Sequence, residues 1–131
     1  MEVRGLIRDV IGTAQGVLAE HQRLEASSSR LVNGYQSLFA LAGRSKSGLE
    51  ISALAKVEKK KGEIPDLSEE ASRLIENPSL LRRSSSEDLA ATLAKLHGNV
   101  VRLAALRQEF ESEFASVEEQ IRPHREKALG R

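Results

Sequence analysis

The sequence predicts an all-α fold. Two long heptad-patterned helices form an antiparallel hairpin or a bundle, with two short helices in the connection. Three observations lead there. Apolar residues recur at alternating steps of four and three over residues 3–42, and again over 89–121. The 131 residues are rich in helix formers, with 30% charged and only 3% aromatic residues and no Trp. The three prolines, Pro65, Pro78 and Pro123, fall where punctuation is expected.

The first long helix covers 1–42. Its seam runs Val3, Ile7, Val10, Ala14, Val17, His21, Leu24, Ser28, Leu31, Tyr35, Leu38 and Ala42. Val3, Val10, Val17, Leu24, Leu31 and Leu38 take the d positions without a gap. The a positions are patchier and hold His21 and Ser28. Ile11, Leu18, Val32 and Phe39 at e widen the stripe beyond what a two-stranded seam needs, so this helix wants at least two neighbours. Gly43 is its expected C-cap.

Residues 43–86 form the connection. GRSKSG (43–48) reads as a loop. Residues 49–61 read as a short helix with Ile51, Leu54 and Val57 inward and Gly62 behind it as a cap. Asp66 and Glu69, just after Pro65, have capping-box spacing for a second short helix. Its apolar face is Leu67, Ala71, Leu74 and Ile75. Asn77-Pro78 breaks it, and Leu80 and Leu81 follow in a turn.

The second long helix covers 87–122. Its d set is Leu89, Leu96, Leu103, Phe110 and Val117; its a set is Leu93, Val100, Arg107, Phe114 and Ile121. Pro123 is expected to end it, leaving 123–131 as a basic tail. The helices then span about 60 and 50 Å at 1.5 Å per residue. The simplest arrangement is a single domain over 1–131. The long helices run antiparallel in it, with the short ones at one end. Setting Ala42 near Leu89 puts Arg107 near Leu24, within reach of Glu20 or Glu25.

Charge and motifs narrow the function classes. The net charge of +1 argues against nucleic acid as a partner. Lys56, Lys59, Lys60 and Lys61 are candidate anion contacts, but no aromatics are interleaved for base stacking. Lysines before Gly62 are also what the helix dipole favours. Cysteine is absent, which rules out thiolate metal sites and fits a cytoplasmic or other intracellular protein. No leader pattern opens the chain, and no apolar run approaches a membrane span. His21, His97 and His124 lack partners at metal-ligand spacing. The glutamates between 109 and 119 scatter over several helix faces and read as solvated. No catalytic residue, metal site or cofactor is expected.

RRSSSEDL (82–89) supports two compatible readings. Ser84 with Glu87 has capping-box spacing, and Ser85 or Ser86 can also cap the second long helix, with Glu87 and Asp88 in its first turn. Arg-Arg-x-Ser is also a pattern that basophilic kinases accept, which makes Ser84 and Ser85 candidate modification sites.

The sequence thus predicts a non-enzymatic helical interaction protein, a subunit or adaptor of a homo- or hetero-oligomeric assembly. Its expected partners are itself or other helical subunits. The expected interface is the densest large-apolar block, Leu24, Leu31, Val32, Tyr35, Leu38 and Phe39, with Phe110 and Phe114. Two alternatives stand beside it: a small chaperone or regulator holding a client helix in a groove, and an electrostatic adaptor for nucleic acid or anionic membrane.

Overall fold

A computed structural model describes residues 3–43 and 48–128. Five helices follow one another: α1 (Val3–Leu41), α2 (Gly48–Lys61), α3 (Ile64–Glu76), α4 (Ser79–Arg82) and α5 (Ser86–Ala128). The two long helices pack against each other, with the short helices between them in sequence. Most of the expected 43–48 loop, residues 44–47, lies outside the described residues, as does the end of the expected tail, 129–131. Among the described residues, no helix is long and apolar enough to cross a membrane.

The chain divides into two compact units. The first combines Met1–Arg23 with Glu63–Ala105, and the second combines Leu24–Gly62 with Leu106–Arg131. Each draws one segment from α1, one from the connection and one from α5. In the first unit, α1 and α5 run parallel: Arg8 and Thr13 share a groove with Leu93 and His97, and further along Gly16 approaches Val100. Antiparallel to α5 runs α3, with Lys95 bonded to Glu70 and Arg102 to Glu63. In the second unit the residue numbers of α1 and α5 again rise together. Ser27 meets Glu111, Gly34 meets Phe114 and Val117, and Ala42 shares a groove with His124.

The bundle is therefore realised, and the antiparallel hairpin with its supposed register is not. The cause is the connection. Helices α2 and α3 together hold 27 residues, 14 and 13, about 40 Å of helix at 1.5 Å per residue. That is long enough to carry the chain back along α1 before α5 begins. The wide stripe of α1 finds its two neighbours inside the same chain.

The d positions of both long helices from Val10 onward form the core: Val10, Val17, Leu24, Leu31 and Leu38 from α1, and Leu89, Leu96, Leu103, Phe110 and Val117 from α5 are all buried. The flank differs from the expected one. The e residues Ile11, Leu18, Val32 and Phe39 are half-buried, while the g residues Leu6, Glu20, Ser27 and Gly34 are buried. A straight helix drifts against a 3.5-residue repeat, and at the N-terminal end Leu6 is buried in place of Val3, which is 42% exposed.

The connection shows the remaining corrections. In α2 only Val57 is a buried hydrophobe; Leu54 is half-buried and Ile51 is 63% exposed. Helix α3 starts at Ile64, with Pro65 in its first turn and no side-chain cap, so Asp66 lies inside the helix rather than capping it. Pro is tolerated there because first-turn N–H groups have no intrahelical acceptor. Ile64, Ala71 and Leu74 are buried, as is Leu81 of α4. A large aliphatic side chain so buried contributes about 1.5–3 kcal/mol. Gly43 adopts φ 71°, the left-handed conformation expected of a C-cap. Pro123 does not end α5. The ring removes one backbone bond near the end of the helix, and the chain continues helical to Ala128. Arg125, reaching Glu118 at 3.3 Å, ties the turn after Pro123 to the turn before it.

Candidate functional site

The interface residues expected from sequence fall into two groups. Leu24, Leu31, Leu38 and Phe110 are buried in the core of a single chain. Val32, Tyr35, Phe39 and Phe114 are half-buried. The first group holds the bundle together, and only the second reaches the surface.

Tyr35 and Phe39 belong to a groove of the second unit. Leu38 and Ala42 join them from the end of α1, Leu49 from the start of α2, and Gln120 and His124 from α5. The groove holds about 600 Å³, within the size range of ligand pockets. The rings of Tyr35 and Phe39 stack with centroids 6.2 Å apart. In the same unit, at the end of α1 and in the first turn of α2, three large apolar side chains are exposed: Leu41 at 40%, the groove residue Leu49 at 58% and Ile51 at 63%. An apolar surface beside a mixed groove is the usual character of an interaction site.

The wall of the groove is held by a polar network. The Tyr35 hydroxyl donates to Glu113 Oε2 at 2.5 Å. Lys60 of α2 brings its ammonium to 3.8 Å from Glu113 Oε1 and lies over the Phe110 ring, 6.0 Å from its centroid. Burial, then the hydrogen bond to Glu113 and the negative charge of that carboxylate, push the Tyr35 phenol well above its ordinary range. All three helical segments of the unit are tied at one point.

The other singled-out residues are mostly engaged in structure. Lys60 pairs with Glu113, and Lys61 with Glu25 and Glu58 at 3.9 and 3.8 Å. Only Lys56 and Lys59 of the proposed anion patch point freely to solvent. The acids of the neighbouring helices draw in the other two. His21 Nδ1 lies 2.8 Å from Ser68 Oγ. The Ser68 hydroxyl gives its hydrogen to the Ile64 carbonyl, so it accepts from His21. Arg107 donates to Glu111 one turn on, at 3.2 Å. Ser85 is the N-cap of α5, accepting the Asp88 N–H at 3.1 Å, whereas Ser84 donates to the Leu80 carbonyl. Among the described residues, no group of three or more His, Cys, Asp or Glu is placed to hold a metal ion.

Sequence reasoning missed Leu49, Gln120 and His124 as groove residues. Gln120 and His124 sit one helical turn apart, a spacing that marks a shared face. Ending the helix at Pro123 hid it. No family model matches the chain, and neither the curated proteins nor the solved structures compared with it give a match.

Proposed function

We propose that the protein is a non-enzymatic helical adaptor or small chaperone that holds an apolar segment of a partner protein in the groove of its second unit. The observation that carries this reading is the groove of about 600 Å³ lined by the Tyr35 and Phe39 rings and by Leu49, which is 58% exposed. A monomer that has already buried its seam does not need a second copy to cover Leu24 or Leu31. The groove-binding reading therefore gains over assembly through the seam. A partner would supply a bulky apolar anchor between Phe39 and Leu49, with polar groups to meet Gln120 and His124.

The test combines light scattering after size exclusion with titration of the apolar dye ANS. The wild-type chain should stay monomeric across concentration and bind the dye. Leu49→Glu with Ile51→Glu should abolish dye binding while far-ultraviolet circular dichroism and Tm stay within error. A concentration-dependent oligomer dissolved by the same two changes would return the seam's role to self-assembly at this surface. A monomer that binds no dye would sink the proposal.

A further inference from the structure

We infer that a second groove of the same unit, between α1 and α5, is an oxyanion site that takes a phosphoryl group. Arg30, Asn33 and Ser37 line it from α1, and Phe114, Glu118 and Arg125 from α5. Positions 30, 33 and 37 follow one helix face, so a guanidinium, an amide and a hydroxyl converge as donors on one strip of surface. The cavity holds about 210 Å³. At about 30 Å³ per water, that accommodates a tetrahedral oxyanion with part of its hydration shell.

Arg30 differs from the arginines of the second half of α1 and of α5 that are tied to an acid of their own helix. Arg23 pairs with Glu20, Arg107 with Glu111 and Arg122 with Glu119, each within its own helix. The positions three and four residues from Arg30 are Ala26, Ser27, Asn33 and Gly34, none of them acidic. Its guanidinium instead lies over the Phe114 ring, 5.6 Å from the centroid. Gly34 makes this possible: a Cβ there would stand 3.2 Å from that ring. The charge is thus positioned against an aromatic floor, and among the described residues it forms no ion pair. A planar guanidinium fork matches two oxygens of a phosphoryl group better than a point charge does. Across the groove, Arg125 reaches Glu118 at 3.3 Å. A bound oxyanion would compete with Glu118 for Arg125, so this carboxylate weakens the site.

The experiment titrates the full chain with inorganic phosphate, phosphoserine and acetate at fixed ionic strength, following side-chain and backbone NMR shifts. Inorganic phosphate should give saturable shifts confined to Arg30, Asn33, Ser37 and Arg125, and acetate should bind more weakly. Arg30→Gln should weaken binding about tenfold, as expected for losing a charge-assisted pair of bonds. Glu118→Gln should tighten it, and Lys127→Gln should leave it unchanged. Tighter binding of phosphoserine than of phosphate would identify a phosphorylated protein segment as the source, and the reverse would identify the free ion. Shifts that do not saturate, or that persist unchanged in a folded Arg30→Gln protein, would overturn the site. Leu49→Glu should not affect it, which separates its failure from that of the apolar groove.

Discussion

The two units use the same plan and fill it differently. Each sets a segment of α1 parallel to a segment of α5 and packs one connecting helix against the pair. The first unit is aliphatic: Leu6, Val10, Ala14 and Val17 are buried, as are Ile64, Ala71, Leu74, Leu96 and Leu103. The second holds all four aromatic rings of the chain, Tyr35, Phe39, Phe110 and Phe114. The connecting helices differ as well. Helix α3 buries Ile64, Ala71 and Leu74, whereas α2 buries Val57 and leaves Leu49 and Ile51 outside. A fully amphipathic third helix buries its own apolar face, while a weakly amphipathic one leaves the rings of Tyr35 and Phe39 partly uncovered. The surface available for binding follows from that deficit.

The comparison is tested most strongly at the core. Phe110→Ala should cost about 3–5 kcal/mol, and Leu96→Ala, the buried aliphatic counterpart, about 2–5 kcal/mol. Both are measured by urea denaturation followed by circular dichroism. The aromatic unit depends on one large ring, so the Phe110 change should be the larger. A smaller effect at Phe110 than at Leu96 would break the distinction.

Glycines sharpen it next. A Cβ at Gly34 would meet Phe114 and Val117 at 3.2–3.3 Å, whereas at Gly98 of the first unit nothing lies within 4 Å. Gly34→Val should therefore destabilise by about 1–3 kcal/mol through overpacking. Gly98→Ala should stabilise by about 0.5–1 kcal/mol through helix propensity alone. If both changes stabilise, the close approach in the second unit carries no weight.

How much of this was legible follows from what each residue advertises. The d positions from Val10 to Val117 are large and apolar, and all ten are buried, because a 3.5-residue repeat states its own inward face. Much of the g flank was not legible: Glu20 and Ser27 are polar, and their burial depends on which side the third helix packs. Direction was not legible either. A heptad seam reads the same in parallel and antiparallel pairs, and the answer lay in α2 and α3 being long enough to return the chain. The groove was half legible. Tyr35 and Phe39 were singled out, but Pro123 read as a stop concealed His124.

Tyr35 offers a smaller and more local effect. Tyr35→Phe removes the hydroxyl bonded to Glu113 and should cost about 1.5–3 kcal/mol, the range for bonds to charged groups. Since the phenol is pushed above its ordinary 10.0, its contribution is fully present below that pH. It is lost only as pH climbs through the higher folded value. The chain has one Tyr and no Trp, so tyrosinate absorbance follows this residue alone. Titration at the ordinary phenol pH in the folded protein would show that the network is open to water and that the two units are equally loosely tied.

The smallest effect belongs to the first unit and sets the scale of its surface ties. Arg102 donates two bonds of 2.8 Å to Glu63 at the start of α3. Those bonds hold the Glu63 carboxyl below its ordinary 4.5. A lowered carboxylate contributes stability that is present above the ordinary value and fades as pH falls through the folded one. Both groups stand in solvent, where such pairs are screened and contribute little. Arg102→Gln should return the Glu63 carboxyl to its ordinary titration, read by carboxyl carbon NMR, with Tm at neutral pH almost unchanged. The matching change in the second unit, Lys60→Gln, removes a partner of the half-buried Glu113 and should lower Tm more. Equal losses would mean that the polar ties of the two units differ in appearance but not in energy.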